Sequence, residues 1–405
     1  MNIINIIKEE YNLIKESLTD IEEIKNHSFI KDIEKNGGKL YYVGGFVRDS
    51  FLNKESKDID MLISGIPMDR LEQILANNGK VDAVGKSFGV LKFIPNGSEL
   101  DLDIAIPRVE KSTGNKYTDF EVVADHNLSI ESDLARRDFT FNAIAKDING
   151  NIIDPFNGRK DLQNKLIRMV NPEAFGDDPL RMLRAIQFSA RFNFTIEKNT
   201  FNEIKKNANK IKSISPERIL IEFDKIVKKG NIENGIKNLI DTNLYQHIFN
   251  SKPSIKYNEI NIDQIKTMGE FIFSLCYGSS IDNISDFYKN KLNGDIENTK
   301  QIKALEYIYN NIENNRLNNL MSIFNAYSIY PNVINSDIFN NNIKKYINEF
   351  IKYPKTIKEL DINGNDIMNL GYKGPEVKEM FLKVLKAIFN DEINNNKKEI
   401  INYIK

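Results

Sequence analysis

The stretch YYVGGFVRDSFLNKESKDID, residues 41–60, combines a glycine pair with two closely spaced aspartates. The apolar residues before the glycine pair predict a short buried strand, and Gly44 and Gly45 interrupt it just before a helix-like segment, Phe46–Asn53. Because a helix start favours an anion and glycine permits close approach, this turn is a candidate phosphate cradle, with Arg48 one turn inside the helix. A tight turn without a ligand is the alternative for a glycine pair taken alone.

The end of the same stretch holds Asp58 and Asp60, which open the apolar run Met61–Ile63. Because side chains alternate along a strand, the two carboxylates point the same way. Like charges side by side need solvent or a cation, and paired oxygen ligands suit Mg²⁺, which usually keeps phosphate oxygens among its ligands. A solvated strand end is the alternative, but the glycine turn upstream favours a metal–nucleotide site.

The pattern GGFVRDSFLNKESKDID, residues 44–60, resembles the nucleotidyltransferase motif of the tRNA CCA-adding enzyme and bacterial poly(A) polymerase family, in its bacterial and eukaryotic class. The resemblance implies transfer of nucleotides to an RNA 3′ end, with Asp58 and Asp60 binding the metals. In that chemistry one ion lowers the pKa of the attacking 3′-hydroxyl while the other holds the triphosphate and stabilises the leaving pyrophosphate.

Length and composition describe an ordinary globular protein of two to four modules, with 405 residues and a formal net charge of −1. No apolar run approaches the roughly 18 residues of a membrane span, and the N-terminus is unlike a signal peptide, which predicts a cytoplasmic protein with no membrane partner. The single Cys276 excludes an internal disulfide. The near-neutral charge predicts that any RNA contact is local.

Residues 39–170 predict an α+β head with a small mixed sheet. One helix is expected at Pro67–Ala76. The further strand-like runs are Val81–Val84, Gly89–Ile94 and Glu99–Ile106. In the last run Glu99, Asp101 and Asp103 alternate with apolar residues, so three acids are expected on one strand face. The segment LDIAIPR resembles the family segment that carries a third carboxylate, which implies that Asp103 assists the metal site.

The polar segment Arg108–Phe120, RVEKSTGNKYTDF, has little periodicity and predicts a flexible loop. In the family, a loop in this place is associated with the change from C addition to A addition. Its presence favours a full CCA enzyme over one that adds only the two cytidines.

The segment DLARRDFTFNA, residues 133–143, resembles the family's ribose-recognition motif. Arg136 and Arg137 offer planar donor forks for phosphate or ribose oxygens, and Asp138 and Asn142 can bind hydroxyl groups. Adjacent arginines alone are more often surface ion pairs, but their place after the paired aspartates favours nucleotide binding. The following motif, NIIDPFNGR, predicts a structural, turn-rich connector.

The segment DDPLRMLRAIQFSAR, residues 177–191, predicts a helix with Pro179 near its start and acids in its first turn. Asp178 and Arg181 are three residues apart and are expected on one face, with Arg184 a further turn along. The alternative is that the aspartates only cap the helix.

A carboxylate beside a guanidinium matches the amino donor and ring-nitrogen acceptor that cytosine and adenine share, and leaves polar groups unpaired against uracil and guanine. The family's base-recognition motif is an acidic pair followed by two arginines, which implies this role for Asp178 and Arg181. Asp177 stands where glutamate is usual, and Gln187 stands where some members have a further arginine, so the grip on the triphosphate can differ there.

Helices are expected to dominate beyond the head, as a neck at 171–230, a body at 231–355 and a tail at 356–405, with an N-terminal helical extension at 1–38. The stretch 360–393 resembles the family's tail, whose helices grip the tRNA elbow; Pro375–Asn390 is its clearest helix. Within the neck, eight cations face three acids over Lys205–Lys229: Lys205, Lys206, Lys210, Lys212, Arg218, Lys225, Lys228 and Lys229 against Glu217, Glu222 and Asp224. This segment is either an RNA contact or a solvated helical face.

The leading hypothesis is an Mg²⁺-dependent nucleotidyltransferase that adds C, C and A to tRNA from CTP and ATP, with no obligate protein partner. The alternatives are a poly(A) polymerase, an enzyme that adds only A or only CC, and a non-catalytic RNA-binding module. The last would predict loss of the acids, which are present. His27, His126 and His247 are isolated and none precedes an aspartate, so no phosphohydrolase module is expected.

Overall fold

In the computed structural model, residues 24–405 are described except for residues 55, 57, 84–88, 113–119 and 257. The chain divides into two compact units, one ending at Ile214 and one spanning Ser215–Lys405. The division falls inside the neck predicted at 171–230, and most of the predicted N-terminal extension lies outside the described residues. No helix within the described ranges combines the length and apolar character needed to cross a bilayer.

A mixed sheet lies at the centre of the first unit. The strands in chain order are β1 (Lys39–Val43), β2 (Ile59–Ser64), β3 (Gly79–Asp82), β4 (Val90–Pro95), β5 (Leu102–Ala105), β6 (Arg108–Ser112), β7 (Phe120–Ala124), β8 (Ala145–Asp147) and β9 (Ile152–Ile153). Strands β6 and β7 form a separate hairpin, and the others are ordered β3-β4-β5-β2-β1-β8-β9. Within the described residues of this sheet, β2 and β5 are the only neighbouring strands that run parallel, and the other pairs are antiparallel. The predicted α+β head is therefore confirmed.

Helices and a second, two-stranded sheet complete the first unit. The helices are α1 (Ser28–Lys35), α2 (Gly44–Phe51), α3 (Met68–Asn78), α4 (Ile130–Ala135), α5 (Gly158–Gln163), α6 (Ala174–Asp177), α7 (Leu180–Phe192) and α8 (Lys198–Asn207). The second sheet pairs β10 (Leu166–Ile167) with β11 (Thr195–Ile196) in parallel. Pro67 directly precedes α3, so the helix expected at Pro67–Ala76 is confirmed.

Two local expectations are wrong. The strand expected at Glu99–Ile106 begins only at Leu102, because a turn in which Ser98 Oγ accepts the Leu100 N–H keeps the preceding residues out of the ladder. Glu99 and Asp101 therefore do not share a strand face with Asp103. The ends of the loop expected at Arg108–Phe120 are instead the paired strands β6 and β7, whose ladder overrides the weak periodicity; residues 113–119 lie outside the described part of the chain.

The second unit is helical, as predicted. Its helices are α9 (Pro216–Lys229), α10 (Ile232–Asp241), α11 (Leu244–Phe249), α12 (Met268–Cys276), α13 (Ile284–Lys291), α14 (Ile296–Asn311), α15 (Arg316–Ile329), α16 (Asn341–Phe350), α17 (Gly364–Asn369), α18 (Pro375–Phe389) and α19 (Lys397–Ile404). Side-chain caps fix many of their starts; Thr267 and Glu270, for example, form a capping box at α12. The helix expected at Pro375–Asn390 is confirmed as α18.

The basic segment Lys205–Lys229 spans the end of the first unit and helix α9 of the second. Part of its charge is paired locally: Lys225 Nζ lies 2.8 Å from Glu222 Oε1, and Lys228 Nζ lies 2.8 Å from Asp224 Oδ2. These contacts are those of an ion-paired helical surface, and contact with RNA stays a prediction.

Gly158 provides a test of how tightly the first unit is packed. A Cβ atom at Gly158 would lie 2.1 Å from the carbonyl oxygen of Thr140, in the 3₁₀ turn Thr140–Asn142. We expect Gly158→Ala to lower the free energy of unfolding by roughly 1–3 kcal/mol, the usual cost of overpacking. Gly364→Ala is the control, because a Cβ there meets nothing within 4 Å. Urea unfolding followed by circular dichroism measures both, and equal stability of the two variants would contradict the packing.

Candidate active site

Asp60 and Asp103 lie directly opposite each other on the parallel strands β2 and β5. Side chains alternate along β2, so that Ile59 and Met61 are buried while Asp60 emerges on the other face. Asp58 precedes β2 and is exposed. The structure thus brings two of the three predicted carboxylates onto facing positions of neighbouring strands, with the third beside them.

Asp60 is a largely buried carboxylate whose pKa lies above its usual range. Burial raises the pKa of Asp60 to about 6; Arg137 lowers it, Asp103 and Asp58 raise it, and Arg48 lowers it. A carboxylate with so high a pKa gains from a nearby cation.

These residues fit a divalent metal that is shared with a substrate. Mg²⁺ is usually bound by one or two carboxylates together with water and substrate phosphates. Among the described residues, no three His, Cys, Asp or Glu side chains are gathered closely enough to hold an ion by themselves. Asp58, Asp60 and Asp103 would therefore supply part of a coordination sphere, and substrate and water the rest.

Gly44 allows a carboxylate and a guanidinium to approach the backbone. Its φ angle is +69°, a left-handed conformation that glycine adopts readily, and it begins helix α2. A Cβ atom there would lie 3.1 Å from Asp60 Oδ2 and 3.2 Å from the Nη1 atom of Arg137. The glycine turn therefore lies against Asp60, one of the three carboxylates, Asp58, Asp60 and Asp103, that together form an acidic edge. The role of Gly44 and Gly45 in phosphate binding stays a prediction.

Asp133 orients the two adjacent arginines of the RRD sequence. Its fully buried carboxylate accepts from Arg136 Nε and Nη2 at 2.9 and 2.7 Å, and from Arg137 Nε and Nη2 at 3.3 and 3.1 Å. Arg137 also donates from Nη1 to the Asn142 carbonyl at 3.4 Å. Arg137 is thus held toward Asp60 and Gly44. Sequence reasoning missed Asp133, although its spacing of three and four residues from the arginines is a detectable signal.

Four of the predicted nucleotide-binding residues form a network with one another, and three of them, Arg48, Asp138 and Asn142, are buried. Arg48 donates to both oxygens of Asp49 at 2.8 Å and to Asn142 Oδ1 at 2.9 Å. Asn142 Nδ2 donates to Asp138 Oδ1 at 2.9 Å, and Arg184 donates to Asp138 Oδ2 through Nε at 2.8 Å and Nη2 at 2.7 Å. The network joins helix α2, the 3₁₀ turn and helix α7. Asp49 was not anticipated from the sequence.

Asp138 is charged despite its burial. Burial by itself would raise its pKa, but the Arg184 guanidinium and the hydrogen bonds from Asn142, Arg184 and the Phe139 N–H outweigh that effect, so the pKa lies below its usual range. The Arg184 guanidinium also lies 5.2 Å from the centre of the Phe188 ring, and Arg48 lies 5.0 Å from that of Phe192. The cations of the network are therefore fixed by both carboxylates and aromatic rings.

Asp178 lies outside the helix predicted at 177–191, which begins at Leu180. Its φ and ψ angles of −133° and 99° are extended, because a residue before proline is disfavoured in helical conformation. The Asp178 Oδ1 atom accepts the Leu180 N–H at 3.1 Å, and the Arg181 N–H donates to the Asp178 carbonyl at 3.0 Å. A turn, rather than a shared helical face, brings Asp178 and Arg181 together, and Asp177 ends the preceding helix α6. Their role in base selection stays a prediction.

Lys92 and Gln187 also lie near these positions, and neither is among the residues predicted to bind a metal or a nucleotide. Lys92, on β4, lies with its Nζ atom 3.1 Å from Asp103 Oδ1. Gln187, on helix α7, is 1% exposed, and its Nε2 atom has no hydrogen-bond partner in the described part of the chain. Only the cross-strand register reveals Lys92 as a neighbour of Asp103.

Comparisons with known proteins identify relatives of this chain. A family model described as "Poly A polymerase head domain" matches residues 40–168, and one described as "Probable RNA and SrmB-binding site of polymerase A" matches residues 193–258. The CCA-adding enzyme of Geobacillus sp. (strain WCH70) is 32% identical over 395 residues, which cover 92% of this chain and 94% of the relative.

Solved structures share the fold. The Bacillus stearothermophilus CCA-adding enzyme in complex with CTP is 25% identical, with a TM-score of 0.65, over 93% of this chain and 95% of that chain. The Thermotoga maritima CCA-adding enzyme complexed with tRNA is 23% identical, with a TM-score of 0.66, over 92% of both chains.

The buried charge of Asp138 gives a pH-dependent prediction. Because its pKa is lower in the folded state, Asp138 stabilises that state above the unfolded pKa of about 4, and the contribution is lost as the pH falls through the folded value. We expect Asp138→Asn to lower the free energy of unfolding by about 1.5–3 kcal/mol near neutral pH, with a smaller difference from wild type in acid. Urea unfolding across that pH range measures this. Asp101→Asn, at an exposed carboxylate, is the control; a pH-independent Asp138 effect would contradict the charged network.

Proposed function

The chain belongs to the family of CCA-adding enzymes, and on that premise we propose that it adds C, C and A to the 3′ end of tRNA from CTP and ATP, with release of pyrophosphate. The observation that carries the proposal is the position of Asp60 opposite Asp103, beside the Gly44 turn and the oriented Arg137. Carboxylates that suit a metal and guanidinium donors that suit a phosphate lie next to each other here, which supports the proposal. A cytoplasmic location, where tRNA is available, is part of the proposal.

Asp58 and Asp60, assisted by Asp103, are the proposed ligands of a divalent metal. The family implies divalent metal dependence, and we propose Mg²⁺ because carboxylates and phosphates suit it. When bound, the metal supplies a lowered pKa for the attacking hydroxyl and positive charge for the leaving pyrophosphate. The tRNA 3′-hydroxyl oxygen bonds to the α-phosphorus of the nucleotide as the bond from that phosphorus to the bridging oxygen of the pyrophosphate breaks, and the hydroxyl proton passes to solvent.

Arg136 and Arg137, which together form an arginine fork, are the proposed phosphate-binding half of the site. Arg137 is held by Asp133 and lies beside Gly44 at the start of helix α2, where we propose that the triphosphate binds. Arg136, held by the same carboxylate, adds a second donor plane. Because both side chains are fixed before a nucleotide arrives, little ordering is required on binding.

The network around Asp138 has a positioning role in this proposal. Its members bond to one another, so Arg48, Asn142 and Arg184 act chiefly by holding helix α7 against the head. That helix carries Arg181, which with Asp178 is the proposed reader of the amino group and ring nitrogen shared by cytosine and adenine. A fixed position of α7 therefore fixes the distance between the proposed base-reading residues and the acidic edge.

Incorporation by the purified protein tests the function. We expect three tRNA transcripts, ending before CCA, after C and after CC, to be completed to CCA with Mg²⁺, CTP and ATP, and UTP and GTP to be refused. Chelation of the metal should stop the reaction, and Asp60→Asn should abolish it without loss of the fold, because a ligand for the metal is gone. Long A tails would indicate a poly(A) polymerase, addition of only A or only CC a partial enzyme, and no incorporation a binding module.

Base selection has its own test in the neighbouring aspartates Asp178 and Asp177. We expect Asp178→Ala to reduce the preference for CTP over UTP by about tenfold to a hundredfold, because the acceptor for the amino group is lost. Asp177→Ala, one residue away at the end of α6, should keep the preference. Single-nucleotide kcat/KM values measure both, and an equal loss of selection in the two variants would remove Asp178 from its proposed role.

A further inference from the structure

Lys92 stands in line with the two facing carboxylates. The register pairs Asp60 on β2 with Asp103 on β5, and Asp103 with Lys92 on β4, so the three side chains occupy one row across three strands. Lys92 Nζ lies 3.1 Å from Asp103 Oδ1 and 3.9 Å from Asp101 Oδ2. Lys92 is therefore the cation of this row that faces the acid predicted to assist the metals, and Asp82 on β3 lies opposite Lys92 on its other side.

We propose that Lys92 is a positioning residue that neutralises Asp103 in the metal-free protein and competes with the metal for it. The inference rests on the proposed metal site and adds a residue to it. The ammonium occupies the side of Asp103 that faces β4, while Asp60 lies on the other side. A divalent ion that binds Asp103 must therefore displace the ammonium from this carboxylate. The positive charge of the ammonium also repels the ion.

The side chain of Lys92 is suited to this exchange. It is 57% exposed, and its flexible stem lets the ammonium move into solvent when a metal takes the carboxylate. An exposed ion pair is weak enough to be displaced. Lys92 thus holds Asp103 in place when no metal is bound and releases it when a metal binds. This competition sets the metal concentration at which the site fills.

Binding of Mn²⁺ to the full-length protein, without nucleotide or tRNA, tests the inference. Electron paramagnetic resonance measures free Mn²⁺, which takes the same oxygen ligands as Mg²⁺. We expect Lys92→Met to bind Mn²⁺ about threefold to tenfold more tightly than wild type, because the competing charge is gone. Lys92→Arg, which keeps a cation, should restore the weaker binding.

Two controls separate this inference from the proposed function. Lys80→Met removes an exposed lysine of the adjacent strand β3 that has no ion pair with another described residue, and its affinity should match wild type. Equal affinity of wild type and Lys92→Met, including no binding by either, or weaker binding by Lys92→Met, would overturn the role of Lys92. Mn²⁺ binding that survives Asp60→Asn would instead overturn the metal site itself.

Discussion

A buried carboxylate must be fully satisfied or it destabilises the fold, and Asp138 imposes this requirement on the first unit. Its oxygens accept from Arg184, Asn142 and the Phe139 backbone. These hydrogen bonds connect helix α7 to the 3₁₀ turn, and Arg48 connects the turn to helix α2. The head is thus stabilised by the same contacts that fix the spacing between its proposed nucleotide-selecting and metal-binding parts.

Four of the arginines predicted to bind the nucleotide fall into two groups with different partners. Arg48 and Arg184 each pair with a different carboxylate and each lie over an aromatic ring. Arg136 and Arg137 share the single carboxylate of Asp133, which leaves positive charge beside the acidic edge. Similar residues from neighbouring motifs therefore serve different purposes, one group organising the protein and the other facing the place proposed for phosphate.

The sequence predicted the elements that depend on local pattern. The α+β head, the helical remainder and the helices near Pro67 and Pro375 follow from periodicity and from proline at helix starts. The position of Asp60 opposite Asp103 could not be predicted in the same way. Strands β2 and β5 are neighbours in the sheet but are separated in the chain by β3 and β4, and their register depends on the assembled sheet. Asp178 was misplaced on a helix although Pro179 after it gave the opposite signal. The pairing of Arg48 with Asp49 depends on burial, which the sequence of α2 does not display.

The buried network also determines how the head responds to ionic strength. Arg48 and Arg184 are balanced by Asp49 and Asp138, so the network carries no net charge, and the buried Arg48–Asp49 pair in particular is shielded from dissolved ions. Arg136 and Arg137 share one carboxylate and so keep an unbalanced positive charge, while the chain as a whole carries a net charge of only −1. Added salt should therefore weaken the capture of a polyanionic substrate well before it disturbs the internal geometry, which separates substrate affinity from structural integrity.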